Sequence, residues 1–255
     1  MLWAIDVGNT HTVIGLHNGS WAAVWRLETH SGDTEDQLAA TLGQLCQATG
    51  TELKADAVII GSVVPSVEAT WRHFGEKWLR QKPVFLESGA QVGLEVTYEP
   101  PLAVGADRIA NALAAIDQYG SPVVAVDFGT ATTFDTVDAG GRYVGGAILP
   151  GVFVSMEALS QRAARLPSIS LVEPKTAIGR NTVDALRSGV MLGYAGAVDA
   201  LGRQIREELG GKATLVATGG LAGAFSGLCK EIDTVNPNLT LEGLLLAHRR
   251  IVLAP

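Results

Sequence analysis

The first part of the chain alternates short apolar runs with polar turns. The runs Leu2–Val7, Thr12–Leu16 and Trp21–Leu27 predict three strands. Gly8-Asn9 separates the first two runs and Asn18-Gly19 the second two, and Asn-Gly between apolar runs is a strong hairpin signal. We therefore expect an antiparallel meander at the start of the chain.

Helical and extended patterns alternate through the remaining sequence. Apolar residues at helical spacing predict helices at about 34–49, 65–78, 106–119, from 151, 181–209, from 219 and from 241. Short apolar runs predict strands at 57–61, 84–86, 123–126, 132–137, 143–148, 214–218 and 232–235. In the second helix we expect Trp71, Phe74 and Trp78 to face inward. This alternation after an antiparallel start indicates an α/β fold.

The opening pattern returns in the second half of the chain. Residues 6–12 read Asp-Val-Gly-Asn-Thr-His-Thr, and residues 127–133 read Asp-Phe-Gly-Thr-Ala-Thr-Thr. Each segment is Asp-x-Gly-x-x-x-Thr at the end of an apolar strand, and each is followed by a meander. The repeat predicts two related lobes, which we expect at residues 1–118 and 119–255.

The two repeated loops have chemistry that suits phosphate. Glycine at the bend exposes backbone N–H groups that can hold phosphate oxygens, and the preceding Asp can hold a cation beside them. Hydroxyl groups follow at Thr10, Thr12, Thr130, Thr132 and Thr133. One such loop is more often a hairpin turn whose Asp caps its own backbone. Two copies at matching places favour a polyphosphate held from both sides of a cleft.

Two other segments have both a structural and a functional interpretation. The glycine pair in Thr218-Gly219-Gly220 either makes a tight strand–helix junction or lets a nucleoside approach the helix closely. Asp107 falls in the first turn of a helix, where the helix dipole favours a carboxylate. Beside Arg108, the same carboxylate could be a general base next to a group that holds the substrate.

Composition narrows the class of protein. Of 255 residues 30 are glycine, against an average of about 7%. A hydrophobic content of 47% excludes intrinsic disorder, and a net charge of −7 argues against nucleic-acid or anionic-membrane partners. Apolar runs are too short for a membrane span, and the first residues lack the basic region of a signal peptide. With two distant cysteines, Cys46 and Cys229, these features predict a cytoplasmic globular protein.

Motifs of several other enzyme classes are missing from the sequence. A P-loop needs Gly-x-x-x-x-Gly-Lys-Ser/Thr, but Gly211-Lys212 is followed by Ala213. Neither Gly-x-Gly-x-x-Gly after a strand nor Gly-x-Ser-x-Gly occurs, and the five histidines lack metal-ligand spacing. These absences argue against P-loop enzymes, dinucleotide-binding folds and α/β-hydrolases.

An ordered series of motifs resembles the type III pantothenate kinases over nearly the whole chain. The motifs are DVGNT at 6–10, GSVVP at 61–65, VGADR at 104–108, DFGTAT at 127–132, GGAILPG at 145–151, IGRNT at 178–182, ATGG at 217–220 and LTLEGL at 239–244. The resemblance implies the acetate and sugar kinase/heat-shock-protein-70/actin superfamily, with two ribonuclease-H-like (actin-like ATPase) lobes and a nucleotide cleft between them. It also implies ATP-dependent phosphorylation of pantothenate to 4′-phosphopantothenate, the first step of coenzyme A biosynthesis.

The resemblance further implies roles for individual residues. The ATP contacts would be Asp6, Val7, Gly8, Asn9, Thr10, His11, Thr12, Val13 and Thr130. Pantothenate would be held by Tyr98, Gly105, Ala106, Asp107, Arg108 and Thr182. Asp107 would be the catalytic proton acceptor, and Thr182 would reach the pantothenate of the partner in a homodimer. Asp6 would lie near Mg²⁺, and Asp127 would bind a monovalent cation, K⁺ or NH₄⁺.

One departure from the family pattern, one group of glycines and two alternative functions are left open by the sequence. Tyr98 is followed by Glu99-Pro100-Pro101, where the family usually has Asn-Pro. Gly189, Gly193 and Gly196 share nearly one face of the long helix, which permits close packing either within the subunit or in the dimer. The alternatives in function are another kinase or ATPase of the superfamily, such as a sugar or acetate kinase, and a non-catalytic accessory or regulatory member of the same family.

Overall fold

Two five-stranded sheets form the framework of the residues that the computed structural model describes, namely 1–163, 167 and 169–253. The strands are β1 (Leu2–Val7), β2 (His11–His17), β3 (Trp21–Glu28), β4 (Ala57–Ser62), β5 (Val84–Leu86), β6 (Val123–Phe128), β7 (Ala131–Val137), β8 (Tyr143–Pro150), β9 (Thr214–Thr218) and β10 (Thr234–Val235). The helices are α1 (Glu35–Thr49), α2 (Pro65–Lys77), α3 (Ala106–Tyr119), α4 (Val152–Arg162), α5 (Thr182–Glu208), α6 (Ala222–Phe225) and α7 (Leu239–Leu253). Single turns of 3-10 helix occur at Ala90–Val92 and Pro101–Ala103.

The first sheet has the strand order β3-β2-β1-β4-β5. β1 pairs antiparallel with β2 and parallel with β4, so the carboxyl ends of β1, β4 and β5 lie at the same edge. Trp3 and Trp25 of the sheet meet edge to face, with ring centroids 6.0 Å apart, and Phe74 of α2 packs on Trp3 at 6.1 Å. This aromatic cluster fixes α2 against the sheet whose edge carries the first loop.

The second sheet repeats this arrangement, with the order β8-β7-β6-β9-β10. β6 pairs antiparallel with β7 and parallel with β9, as β1 does with β2 and β4. Phe128 stacks on Phe225 at a centroid distance of 5.7 Å, and Tyr194 of α5 packs on Phe225 at 5.4 Å. The matching strand orders confirm the two related lobes predicted from the sequence repeat.

The chain divides into two units, but the division is not contiguous. One unit comprises Met1–Ala114 and the segment from Thr240 onward, and the other is Ala115–Leu239. The sequence predicted a single boundary, which placed the closing helix in the second lobe. In the structure α7 packs with the first unit, since Thr240 Oγ1 donates to Asn111 Oδ1 at 2.8 Å and Arg250 donates to the Val92 carbonyl at 2.8 Å.

Two local predictions were wrong. Trp78 was expected to face inward, but it follows the last residue of α2 and 42% of it is exposed, with its indole N–H donating to Asp36 at 2.9 Å. The helix expected from Gly219 is a single turn, Ala222–Phe225, and Gly219 itself lies outside it in a left-handed conformation with φ +88°. Within the described residues, no helix is both long and apolar enough to cross a membrane.

Candidate active site

The first Asp-x-Gly loop joins β1 to β2. The Gly8 N–H donates to the His11 carbonyl at 3.0 Å, and the outer residues Asn9 and Thr10 are exposed. Burial, with the nearby Arg26 charge, lowers the pKa of His11, so this imidazole is neutral at pH 7. The loop therefore offers backbone N–H groups and a hydroxyl to a ligand rather than a cationic side chain.

The second loop joins β6 to β7 and is one residue shorter. The Gly129 N–H donates to the Ala131 carbonyl at 3.0 Å, and Thr130 at the tip is exposed. Asp127 pairs across the hairpin with Thr133, whereas Asp6 pairs with Val13. Each carboxylate thus stands at the same place, one residue before the end of the central strand of its sheet.

Strand pairing gives a different equivalence of threonines from the one in the sequence repeat. In the repeat Thr12 aligns with Thr133, but Thr12 pairs with Val7 and Thr132 with Phe128. Thr12 and Thr132 are also buried alike, with 2% and 1% of their surfaces exposed. The structural counterpart of Thr12 is therefore Thr132.

Two residues outside the sequence motifs contact these buried threonines. Thr29 Oγ1 lies 2.9 Å from Thr12 Oγ1, and Tyr194 Oη lies 2.7 Å from Thr132 Oγ1. Burial raises the pKa of Tyr194, so its hydroxyl keeps its hydrogen. No spacing signal in the sequence indicates either residue, because Thr29 follows the third strand of the meander and Tyr194 lies on a distant helix.

Gly219 lies directly against Asp127. A side chain at Gly219 would overlap the Asp127 carboxylate and would also lie 2.7 Å from the Phe128 backbone nitrogen. Thr218, which precedes this glycine, is the strand partner of Asp127 and is buried. The backbone at position 219 comes so close to Asp127 that only glycine fits, which explains the first glycine of the ATGG motif.

Asp107 lies in the first turn of α3 in the first unit. Its Oδ1 accepts a hydrogen bond from the Arg108 backbone N–H at 2.8 Å. The surrounding protein desolvates the carboxyl group and raises its pKa, although part of the residue reaches the surface; the Arg108 hydrogen bond and charge oppose this shift. A Cβ at Gly105 would lie 2.5 Å from Asp107 Oδ1, so glycine here gives the carboxylate its room.

A cavity of about 510 Å³ opens beside this turn at the carboxyl ends of β4 and β5. This volume is within the range of small-molecule sites. Its lining residues are Ser62, Val63, Pro65, Glu68, Phe85, Leu86, Glu87, Leu102, Ala103, Val104, Gly105 and Ala106. Two of the predicted substrate residues, Gly105 and Ala106, line the cavity. Asp107 and Arg108 follow them in the chain but are not among the lining residues, and neither is Tyr98, which is half-buried in the preceding loop.

The remaining predicted residue, Thr182, is the exposed first residue of α5 in the second unit. Further along this helix, Gly189, Gly193 and Gly196 are exposed, and a Cβ at any of them would meet no described atom within 4 Å. Among the described residues, nothing therefore packs against these three glycines within the subunit.

Comparison with known proteins identifies the group to which this architecture belongs. A family model described as type III pantothenate kinase matches residues 2–204. The chain belongs to the type III pantothenate kinase family. A type III pantothenate kinase of Thermomicrobium roseum is 47% identical over 253 residues, which cover 98% of each chain. The expected enzyme class, a kinase of pantothenate, is thereby confirmed.

Solved structures resemble this chain in fold. A Campylobacter jejuni protein described as a Baf family transcriptional activator aligns with a TM-score of 0.63 at 19% identity, covering 97% of each chain. Component A of (R)-2-hydroxyglutaryl-CoA dehydratase from Acidaminococcus fermentans aligns with a TM-score of 0.53 at 13% identity, over 97% of this chain and 96% of that one. At these low identities the alignments show the fold alone. That fold agrees with the actin-like fold class predicted from the sequence.

Proposed function

We propose that this chain phosphorylates pantothenate with ATP to give 4′-phosphopantothenate, with Asp107 as the catalytic base. The observation that carries this assignment is the Asp107 carboxylate at the start of α3, desolvated, given room by Gly105 and placed beside a cavity of about 510 Å³. A raised pKa brings a carboxyl group closer to the working pH, where a general base is most effective.

In the proposed reaction Asp107 accepts the proton of the primary hydroxyl of pantothenate as that oxygen attacks the γ-phosphorus of ATP. The bond from phosphorus to the bridging oxygen breaks, and ADP leaves. Phosphoryl transfer of this kind depends mainly on positioning the reactants and on stabilising charge. Residues 6–13 and Thr130 are proposed to hold ATP, largely through the backbone N–H groups of the two loops.

We place pantothenate in the cavity next to Asp107. Gly105 and Ala106 line this cavity, and Arg108 follows in the same turn of α3. Glu68 and Glu87 make part of the lining acidic, so the pantothenate carboxylate is expected at Arg108 rather than at that side. Tyr98 remains a proposed contact, and its segment retains the family's spacing to Gly105 despite Pro100.

The residues present suit the cations that the family resemblance implies. Mg²⁺ is usually held by one or two carboxylates together with substrate phosphates, and Asp6 supplies one such carboxylate at the first loop. Asp127 supplies another hard oxygen ligand at the second loop, where the glycine backbone of Gly219 leaves its carboxylate uncovered by a side chain. When bound, these cations would supply positive charge for the triphosphate, which the two loops do not provide, since they contain no lysine or arginine.

We further propose a homodimer in which Thr182 contributes to the pantothenate site of the partner subunit. The open face at Gly189, Gly193 and Gly196 supports a helix–helix contact, because small residues permit close approach. In the same unit Ile148 and Phe153 are each 62% exposed, which leaves apolar surface available to a partner subunit. A cytoplasmic location completes the proposal, in keeping with the free, buried thiols of Cys46 and Cys229.

The test is ADP release by the full chain with MgATP and pantothenate, with and without K⁺. In control reactions glycerol, acetate or a hexose replaces pantothenate as the acceptor. We expect release with pantothenate alone among these acceptors, and a large drop when K⁺ is omitted. Activity only on another acceptor would overturn the substrate assignment, and an unchanged rate without K⁺ would remove the monovalent cation from the proposal.

A further inference from the structure

Thr29, which follows β3, makes three hydrogen bonds to the first phosphate loop and its second strand. Its hydroxyl donates to the Gly8 carbonyl at 2.7 Å and contacts Thr12 Oγ1 at 2.9 Å. Its backbone N–H donates to the Thr10 carbonyl at 2.9 Å. Both the bend and the far side of the loop are thus attached to one residue.

The direction of these bonds follows from the hydrogens available. A carbonyl only accepts, so the single hydroxyl hydrogen of Thr29 is used on Gly8. The hydrogen between the two threonines must then come from Thr12. Because Thr12 is only 2% exposed and its hydrogen points to Thr29, its hydroxyl holds the loop from behind rather than donating to a phosphate.

The second loop has the same arrangement built from different residues. Glu28 pairs with His11 and Pro150 with Ala131, so the residues that follow them, Thr29 and Gly151, correspond. The Gly151 N–H donates to the Thr130 carbonyl at 3.0 Å, as Thr29 does to Thr10.

A threonine cannot stand at position 151. A Cβ there would overlap the Thr130 carbonyl and would lie 2.7 Å from the Gly129 carbonyl. The hydroxyl comes instead from Tyr194 on α5, which contacts the buried Thr132 at 2.7 Å and donates to the Pro150 carbonyl at 2.9 Å. In both cases a buried threonine contacts a second hydroxyl, which donates to a backbone carbonyl: that of the loop residue Gly8 in the first unit, and that of Pro150 at the end of β8 in the second.

Holding a carbonyl also orients the next N–H group. A trans peptide is planar, so its C=O and N–H point in opposite directions. With the Gly8 carbonyl held toward Thr29, the Asn9 N–H is turned away from Thr29, toward the outside of the loop. Beside the second loop, the held Pro150 carbonyl turns the Gly151 N–H toward the carbonyl of the loop residue Thr130, to which it donates.

We propose that Thr29 and Tyr194 are positioning residues that fix the two loops in the form that binds the phosphates of ATP. This inference rests on the proposed function, in which both loops contact ATP. Thr12 and Thr132 connect each positioning hydroxyl to its loop and belong to the same device.

Thr29 allows a clean substitution. Thr29→Val keeps the branched shape of the side chain and replaces its hydroxyl by a methyl group, which can neither donate to the Gly8 carbonyl nor accept from Thr12. Thr29→Ser restores the hydroxyl, and Tyr194→Phe removes only the phenolic oxygen. Thr49→Val on α1 and Tyr119→Phe at the end of α3 are matched controls that make the same chemical changes away from the loops.

The experiment measures the Kd of MgATP by calorimetry, and kcat and KM for both substrates, on the full chain. We expect Thr29→Val and Tyr194→Phe to weaken MgATP binding and raise its KM roughly five- to tenfold, the value of one lost hydrogen bond. The KM for pantothenate should stay at the wild-type value, and Thr29→Ser and the controls should bind MgATP normally.

The outcomes separate this inference from the proposed function. Wild-type MgATP affinity in both Thr29→Val and Tyr194→Phe overturns it, as does an equal loss in Thr29→Ser, which would indicate packing rather than a hydroxyl role. A wild-type chain that binds MgATP but leaves pantothenate unphosphorylated refutes the proposed function and not the positioning role.

Discussion

Asp107 combines two properties that oppose each other in a folded protein. Its carboxyl group is desolvated, which disfavours the charged form and raises its pKa, yet a proton acceptor must be charged to act. Arg108 moderates the conflict through its backbone N–H and its positive charge. In its proposed role as base, the residue would therefore serve catalysis at the expense of stability.

Replacing Asp107 by Asn should separate these two effects. The variant lacks the proton acceptor, so kcat should fall by roughly 10²- to 10⁴-fold, the usual value of general-base catalysis. The measurement is ADP release at saturating MgATP and pantothenate. Asp117→Asn, the same change at an exposed position on the same helix, should keep wild-type kcat. Near-wild-type turnover in the Asp107 variant would rule out its role as base.

The raised pKa of Asp107 predicts how the stabilities of the wild type and of Asp107→Asn depend on pH. Folding takes up a proton at Asp107 between the unfolded and the folded pKa, so wild-type stability falls as pH rises through that window. The asparagine side chain of the variant stays neutral at every pH. The unfolding free energy of the variant should therefore rise relative to that of the wild type between the unfolded and the folded pKa of Asp107, and the difference should persist at higher pH. Urea unfolding of both proteins at a series of pH values measures this difference. In a separate measurement, kcat/KM of the wild type should fall as the pH drops below the raised pKa of Asp107, because the base becomes protonated. A variant less stable than wild type at neutral pH would contradict the argument.

At the scale of elements, most strands and helices were predictable because local signals agree with tertiary packing. α1 is one case, in which Thr34 and Gln37 form a capping box and Gly50 ends the helix with φ +69°. The equivalence of the two loops was not predictable in detail. Both contain Asp-x-Gly-x-x-x-Thr, but hairpin register depends on turn length, and a turn shorter by one residue changes which threonine faces inward.

The carboxyl-terminal end of α5 is fastened to the second sheet by Arg206. Its guanidinium donates to the Ala213 carbonyl at 3.0 Å, to Glu231 at 2.6 Å and to Asp233 at 2.5 Å. Only 20% of this side chain is exposed, and its hydrogen bonds to Ala213 and Glu231 are part-buried. The helix that carries Tyr194 is thereby held to β9 and to the segment before β10.

Removing this guanidinium should destabilise the protein measurably. Arg206→Ala leaves several part-buried acceptors without a donor, and we expect a loss of about 2 kcal/mol in unfolding free energy. Arg203→Ala is the matched control, because Arg203 also pairs with Glu231 but is 59% exposed, and it should lose roughly 0–1 kcal/mol. Denaturant melts of both variants give the comparison. Equal losses would mean that the buried hydrogen bonds of Arg206 contribute nothing beyond an exposed ion pair.

At the scale of the molecule, the candidate site was only partly open to prediction. The two Asp-x-Gly loops are recognisable in the sequence because the motif is repeated. Asp107, in contrast, looks like an ordinary carboxylate at the start of a helix until the family motif is considered. Thr29 and Tyr194 could not be found, because their role arises from strand pairing and from a helix over 60 residues away from Thr132. The grouping of α7 with the first unit was missed for the same reason, since tertiary contacts determine it.

The proposed dimer gives a prediction for the assembled molecule. Gly193→Glu places a charged side chain on the open face of α5, so the dimer should dissociate, and pantothenate phosphorylation should fall with the loss of the partner's Thr182. Sedimentation velocity at micromolar concentration measures the association state. Ala48→Glu, at an exposed position of α1, should leave both association and activity unchanged. A Gly193 variant with the sedimentation of wild type would exclude this face from the interface.

The return of α7 to the first unit has a consequence for synthesis on the ribosome. The second unit is a continuous stretch, Ala115–Leu239, and is complete in the nascent chain before the final helix emerges. The first unit lacks α7 until then, and α7 supplies Leu241 and Leu244, which fill the space over Gly15 and Gly61. The unit that is translated first is therefore the last that can be completed.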